Sequence, residues 1–214
     1  MIITHFNKQH FKIQLGDLTL AINPVSKDSK EDVNKYGADI VLQSINHVDY
    51  NAGHEMSFGD KSPFIISSPG EYEIKDIFIK GFGTYIDLPI KNEKEKQKLL
   101  NTSFVFRVDN INICFLGAIK EELSAKQKEI INDVDILFIP LSKDEIMLNP
   151  YEASKIATKL EAKVIIPMDY DKESLNIFLK ESGKELKDIE KVDKLTIKRK
   201  DIENKQSEII LFNI

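Results

Sequence analysis

Ala38-Asp-Ile-Val-Leu-Gln-Ser-Ile-Asn-His-Val-Asp-Tyr-Asn-Ala-Gly53 is the stretch on which the reading of this chain turns. Its first five residues form an apolar run bounded by polar ones, as a buried strand does. From Gln43 onward it becomes a loop at that strand's carboxyl end, the place where layered α/β proteins put ligand sites. His47 and Asp49 stand two apart in the loop. Both residue types offer lone pairs to a divalent cation. The same two side chains can equally form a hydrogen-bonded pair that shapes the turn.

Working outward, the flanks read as strands. Phe11 to Leu15 alternates apolar and polar residues, Gly16-Asp17 is a turn signal, and Leu18 to Ile22 returns, ending at Asn23-Pro24. This is an opening hairpin. Residues 26–37 are polar and suit a loop or short helix. Beyond the central stretch, Phe64 to Ser67 is a strand, Pro69-Gly70 a turn, and Tyr72 to Lys80 a strand pair with Ile74, Ile77 and Ile79 as its apolar positions. Lys91 to Lys98 is a charged insertion expected at a hairpin tip. Ser103 to Val108 and Ile111 to Leu116 form a second hairpin around Asp109-Asn110.

The pattern then alternates between helix and strand. A short helix runs over Leu123 to Ile131, with Ser124 near its start. The apolar strand Ile136 to Ile139 stops at Pro140. Asn149 is an N-cap and Pro150 a first helical residue, ahead of the stripe Ala153, Ile156, Ala157 and Leu160. The strand Val164 to Ile166 stops at Pro167. The helix Lys172 to Ser182 ends at Gly183, and two strands follow, Lys194 to Arg199 and Glu208 to Phe212. Hairpins followed by βαβ units imply two packed sheets covered by helices, a four-layer αββα sandwich.

The totals agree with one domain. The chain has 214 residues, 42% hydrophobic and 30% charged. Residues 1–170 are expected to form the core, and 171–214 an α/β extension packed on it. Thirty-five acidic against 30 basic residues give a net charge of −5, which provides no general attraction for nucleic acid. No apolar run is long enough for a bilayer, and the first ten residues do not read as a signal peptide. The single cysteine, Cys114, excludes an internal disulfide and a Cys-rich zinc site, and suits the cytoplasm. Its apolar strand makes it a core residue. The cations between Lys194 and Lys205 are interleaved with Asp201 and Glu203, as on a solvated surface.

Ala38 to Gly53 resembles the metallo-β-lactamase superfamily, in which a strand leads into Thr-His-x-His-x-Asp-His. Other segments resemble the small zinc-dependent hydrolase branch of that family, near the ascorbate-phosphate lactonases. They are Ser68-Pro-Gly-Glu-Tyr-Glu73, Ile77-Phe-Ile-Lys-Gly81, Ile113-Cys-Phe-Leu-Gly117, Asp133 to Pro140, Tyr151 to Ala157 and Lys163 to Met168. They occur in the family's order over about residues 1 to 170.

The resemblance implies a role for each position, and most are not filled. Ile45 stands at the first loop histidine, Tyr50 at the third, Ala118 at the bridging aspartate and Asp169 at the final histidine. Asn7-Lys8 replaces an early Gly-His, and Gly81 to Asp87 contains no histidine. His47 and Asp49 are retained. A catalytic zinc normally has three protein ligands. The residual metal candidates are His47, Asp49 and Asp169, with Asp49 as the candidate catalytic residue. Asp169 would suit Mn²⁺ or Mg²⁺, or alternatively would cap the helix near Lys172. Ser44, Asn46, Tyr50 and Glu71 are expected to line the pocket; Glu71 and Glu73 could instead face solvent. His5, His10 and His54 match no ligand position and are expected as surface or strand residues.

The expected protein is therefore a non-catalytic or non-metal relative of zinc-dependent hydrolases that takes a small molecule and holds no cofactor. The alternative is a hydrolase of phosphoester, lactone or lactam bonds using one weakly held Zn, Mn or Fe. A homo-oligomer paired through the edge of Glu208 to Phe212 is a further expectation.

Overall fold

The computed structural model of the protein describes residues 1–89, 96–142 and 146–213. The first sheet contains β1 (Ile2–Asn7), β2 (His10–Leu15), β3 (Leu18–Ile22), β4 (Ile40–Leu42) and β5 (Phe64–Ile66). The second begins with β6 (Gly70–Ile74), β7 (Ile77–Pro89), β8 (Lys96–Val108) and β9 (Ile111–Phe115). The chain then runs through α1 (Ala125–Ile131), β10 (Ile136–Pro140), α2 (Pro150–Leu160), β11 (Val164–Met168) and α3 (Lys172–Glu181), of which β10 and β11 join the second sheet. The last elements are β12 (Glu190–Val192), β13 (Leu195–Thr196), α4 (Arg199–Ile202) and β14 (Glu208–Phe212).

Strand order is β13-β1-β2-β3-β4-β5 in the first sheet and β12-β14-β11-β10-β9-β8-β7-β6 in the second. Apolar residues of both sheets meet between them, where Phe11 and Phe138 pack edge-on at 4.7 Å between ring centroids. A second apolar layer joins the outer face of the larger sheet to α2 and α3, through Leu137, Ile165, Ile156 and Phe178. This is the αββα arrangement. The outer layer on the smaller sheet is thin: Ala21, Ala38 and Val41 are covered by Tyr36 and by Met56 of a 3-10 turn, Gly53–Met56.

Local chemistry explains the boundaries. Ser124 and Gln127 form a capping box at α1. Asn149 caps α2, with Pro150 at its first position. At the mouth of β4, Asp39 accepts from the Thr19 amide at 2.8 Å and from Lys61 and Lys75 at 2.5 Å each. Burial opposes ionisation of Asp39, but these donors outweigh it and pull its pKa down to about 2. Cys114 is fully buried, and burial raises its thiol pKa.

Several expectations need correction. The opening hairpin is present as β2 and β3, and β1, which was not expected, extends it to a three-stranded meander by pairing with β2, with β13 on its other side. Of the strand expected over Lys194 to Arg199, only Leu195–Thr196 pairs. Asp201 accepts from the Lys198 amide and starts α4, which buries Ile202 in the core. Pro167 lies within β11, opposite Ile139. β14 is not a free edge: β11 flanks it on one side and β12 on the other, so it has no side left for a second copy. Of the charged insertion at 91–98, residues 91–95 lie outside the described residues, and 96–98 belong to β8.

Two outcomes are expected. As pH falls from about 4 towards 2, the stability supplied by ionised Asp39 is lost, because its folded pKa lies below its unfolded one. Asp39→Asn should therefore flatten that part of the urea-midpoint profile against pH. Removing residues 171–214 strips β14 from β11 and β13 from β1. The truncated chain is expected to lose its cooperative thermal transition; a sharp, unchanged melt would show that the extension is dispensable.

Candidate functional site

The loops that follow β4, β9, β10 and β11 converge at one end of the sandwich around a cavity of about 390 Å³. The β4 loop contributes Ile45, His47, Asp49 and Tyr50. Ala118 follows β9, Leu141 and Ser142 follow β10, and Asp169 to Asp171 follow β11. Lys8 enters from the turn between β1 and β2, and β7 adds Ile86 and Leu88.

A buried polar frame holds these loops. Asn23 accepts from the Ser44 amide at 2.7 Å and donates to Ser44 Oγ at 2.8 Å and to Gln9 Oε1 at 3.1 Å. Asn101 accepts from the Ala118 amide at 2.8 Å and donates to the Leu116 carbonyl at 3.0 Å. Gly117 sits between them at φ 64°, where a Cβ would fall 2.4 Å from Asn101 Oδ1 and 2.7 Å from Ser44 Cβ. Only glycine fits both the backbone and the space.

At the centre is an ion pair. Lys8 Nζ lies 2.5 Å from Asp49 Oδ2 and 3.1 Å from Glu31. Asp49 Oδ1 accepts from Ser29 Oγ at 2.5 Å. Burial works against both charges, but the pairing outweighs it: the Lys8 pKa is raised and the Asp49 pKa lowered. His47 Nδ1 accepts from the Asp49 amide at 3.3 Å. Asp169 Oδ2 accepts from Tyr50 at 2.6 Å and Gln9 at 3.1 Å. Burial raises the Asp169 pKa against the pull of those hydrogen bonds, and burial with the nearby Asp169 charge raises that of Tyr50. Beside this polar floor, Ile45, Tyr50, Ile86 and Ala118 form a separate apolar cluster with Leu88, Ile146 and Met147 against it.

The cavity thus brings together His47, Asp49, Tyr50 and Asp169. It does not include the other expected pocket residues. Ser44 is buried in the polar frame, and Asn46 lines a neighbouring hollow. Glu71 projects from β6 into solvent and pairs with Lys80 at 3.1 Å, because strand alternation turns it away. The cap of α3 is Asp171, whose carboxylate accepts from the Glu173 and Ser174 amides, so Asp169 has no capping role. His5 and His10 are strand residues buried against Phe11 and Tyr36, while His54 is exposed on the 3-10 turn. Sequence reasoning gave no role to Lys8, Gln9, Ser29 or Ile86. The one available signal was a lysine at the early Gly-His position.

The beta-lactamase superfamily domain model matches residues 2–169. The chain belongs to that superfamily. A solved structure from Thermotoga maritima, assigned as a zinc-dependent hydrolase of the metallo-β-lactamase superfamily, is 26% identical over 99% of this chain and 98% of its own, with a TM-score of 0.75. One assigned as a metal-dependent hydrolase, from Parabacteroides distasonis, is 16% identical over 86% of this chain and 90% of its own, at a TM-score of 0.62. The metallo-β-lactamase fold protein YhfI from Bacillus subtilis is 10% identical over 99% and 95%, at 0.62. The last two show the fold alone. No curated protein matches the chain.

The superfamily usually works with zinc or another metal, and here the chain's own donors engage much of the candidate ligand set. Both oxygens of Asp49 are engaged, one of them by a cation, and the His47 Nδ1 lone pair is taken by a backbone amide. Among the described residues, no three His, Cys, Asp or Glu side chains converge as ligands. A dication brought near Asp49 would also meet the Lys8 ammonium, a repulsion on the order of several kcal/mol at protein-surface dielectric.

Lys8→Met should expose the cost of losing this pair. It leaves Asp49 partly buried with only Ser29 to satisfy it, and a loss of about 1–2 kcal/mol is expected once the pair's partial exposure is allowed for. Urea denaturation near neutral pH checks this, and an unchanged midpoint would deny the pair its structural role.

Proposed function

We propose that this protein keeps the metallo-β-lactamase fold as a binding protein that works without the superfamily's metal centre. Within the superfamily, we place it beside the small zinc-dependent hydrolases near the ascorbate-phosphate lactonases. The carrying observation is the substitution of a complete set of contacts. Ile45, Tyr50, Ile86 and Ala118 make an apolar cluster among the loops that hold ligands in such proteins, and Lys8 neutralises the retained Asp49. Losing ligands alone would leave a hole with unpaired carboxylates. Here the vacated positions touch one another and the remaining carboxylates have donors, as expected of a pocket that is stable without metal. The cavity remains large enough for a small molecule. Fold membership by itself does not supply hydrolysis.

The retained trio His47, Asp49 and Asp169 supports a second reading, hydrolysis of a phosphoester, lactone or lactam with one weakly held Zn, Mn or Fe. Metal analysis of protein grown with zinc, manganese and iron separates the two. The binding-protein reading expects far less than one ion per chain, and the same trace content in Asp49→Ala. Stoichiometric metal in the wild type, lost together with phosphodiesterase or lactonase activity in Asp49→Ala, would establish the second reading instead.

A further inference from the structure

The charge of the cavity bears on what it can bind. A pair of divalent metals makes a site strongly positive and suits anionic substrates. Here, Lys8 is the one lysine or arginine among the described residues that line the cavity. Its ammonium is already shared between two carboxylates, Asp49 and Glu31. Most of its field is thus spent on those two carboxylates, and the remainder also reaches Asp169.

Asp169 is the opposite case. The donors Tyr50 and Gln9 both go to Oδ2, which leaves Oδ1 with no hydrogen-bond partner among the described residues. The side chain is largely surrounded by protein but keeps an edge on the cavity. Its backbone amide donates to the Lys8 carbonyl at 3.3 Å, and the hydrogen bonds from Tyr50 and Gln9 hold the carboxylate in place. The wall beside it consists of Ile45, Ile86, Leu88, Ile146 and Met147. An acceptor oxygen at the base of an apolar wall matches a molecule with a hydrogen-bonding cation at one end and a hydrocarbon body at the other.

We propose that this cavity binds a small amphipathic amine, its ammonium on Asp169 Oδ1 and its apolar body against Ile86, Leu88 and Met147. The proposal rests on the metal-free reading of the site and names the class of ligand that reading leaves open. The polarity is the reverse of what a metal centre would select.

Three probes of equal length separate head-group chemistry from hydrocarbon burial: hexylammonium, hexanoate and hexanol. Binding is followed near neutral pH by amide chemical shifts of the full chain, on a preparation whose metal content has been measured. Hexylammonium is expected to bind at least roughly tenfold tighter than hexanoate, shifting the amides of Tyr50, Ala118 and Asp169. Asp169→Asn, which keeps the side-chain shape, should remove that preference, since a charge-assisted hydrogen bond is worth about tenfold or more. Should that variant fold poorly, the wild-type shift map decides: shifts outside the cavity overturn the proposal. Equal or tighter binding of hexanoate overturns it, as do an undiminished preference in Asp169→Asn and no binding of any probe. Bound metal in the preparation would instead defeat the metal-free reading, so the two failures are distinguishable.

Discussion

The ion pair between Lys8 and Asp49 joins the turn between β1 and β2 to the loop after β4, and Glu31 and Ser29 bring the segment after β3 to the same point. Lys8 reaches it from a backbone at φ 41°, a conformation that a lysine adopts only when its surroundings hold it there. A short hydrogen-bond chain then crosses to the other sheet: Ser44 to Asn23, Asn23 to Gln9, and Gln9 to Asp169 after β11. The loops of the two sheets are thus braced by side chains of the chain itself. A tethered ammonium carries one charge and three donors, is present from the moment of folding, and cannot exchange with solvent.

The apolar cluster works with that brace. Polar groups beside apolar side chains such as Ile45 and Ala118 must find partners or remain unsatisfied. Tyr50 shows how both needs are met by one residue. Its ring packs with Ile45, Ile86 and Ala118, while its hydroxyl donates to Asp169. Burial removes most of the acidity of that hydroxyl, so it serves as a donor and not as a base.

Much of this was legible in the sequence. The runs at Ile136–Pro140 and Val164–Met168, the Asn149-Pro150 helix start and the ordered family segments specify a two-sheet sandwich, because burial on both faces and capping leave local marks. The short pairings at the end of the chain were not legible. β12 and β13 have three and two residues, too few for a period to appear, and the partner of β13 is β1 at the other end of the chain. At the site, the sequence marks His47, Asp49 and Asp169 as candidates, whereas the partners those side chains find in the fold are not marked. Lys8 and Asp49 are 41 positions apart, and nothing local in either segment marks them as partners. Glu71 failed as a pocket residue for a related reason: the glycine turn beside it was legible, but the face of β6 on which it falls depends on pairing register with β7.

In the proposed metal-free reading, Lys8 Nζ stands beside Asp49 where the superfamily uses metal. A crystal structure of the protein soaked in zinc or manganese, with anomalous scattering recorded at each metal's edge, tests it most directly. Lys8 Nζ is expected on Asp49, with no anomalous peak between His47, Asp49 and Asp169. A strong peak there, with Lys8 swung away and those three side chains as ligands, would contradict it.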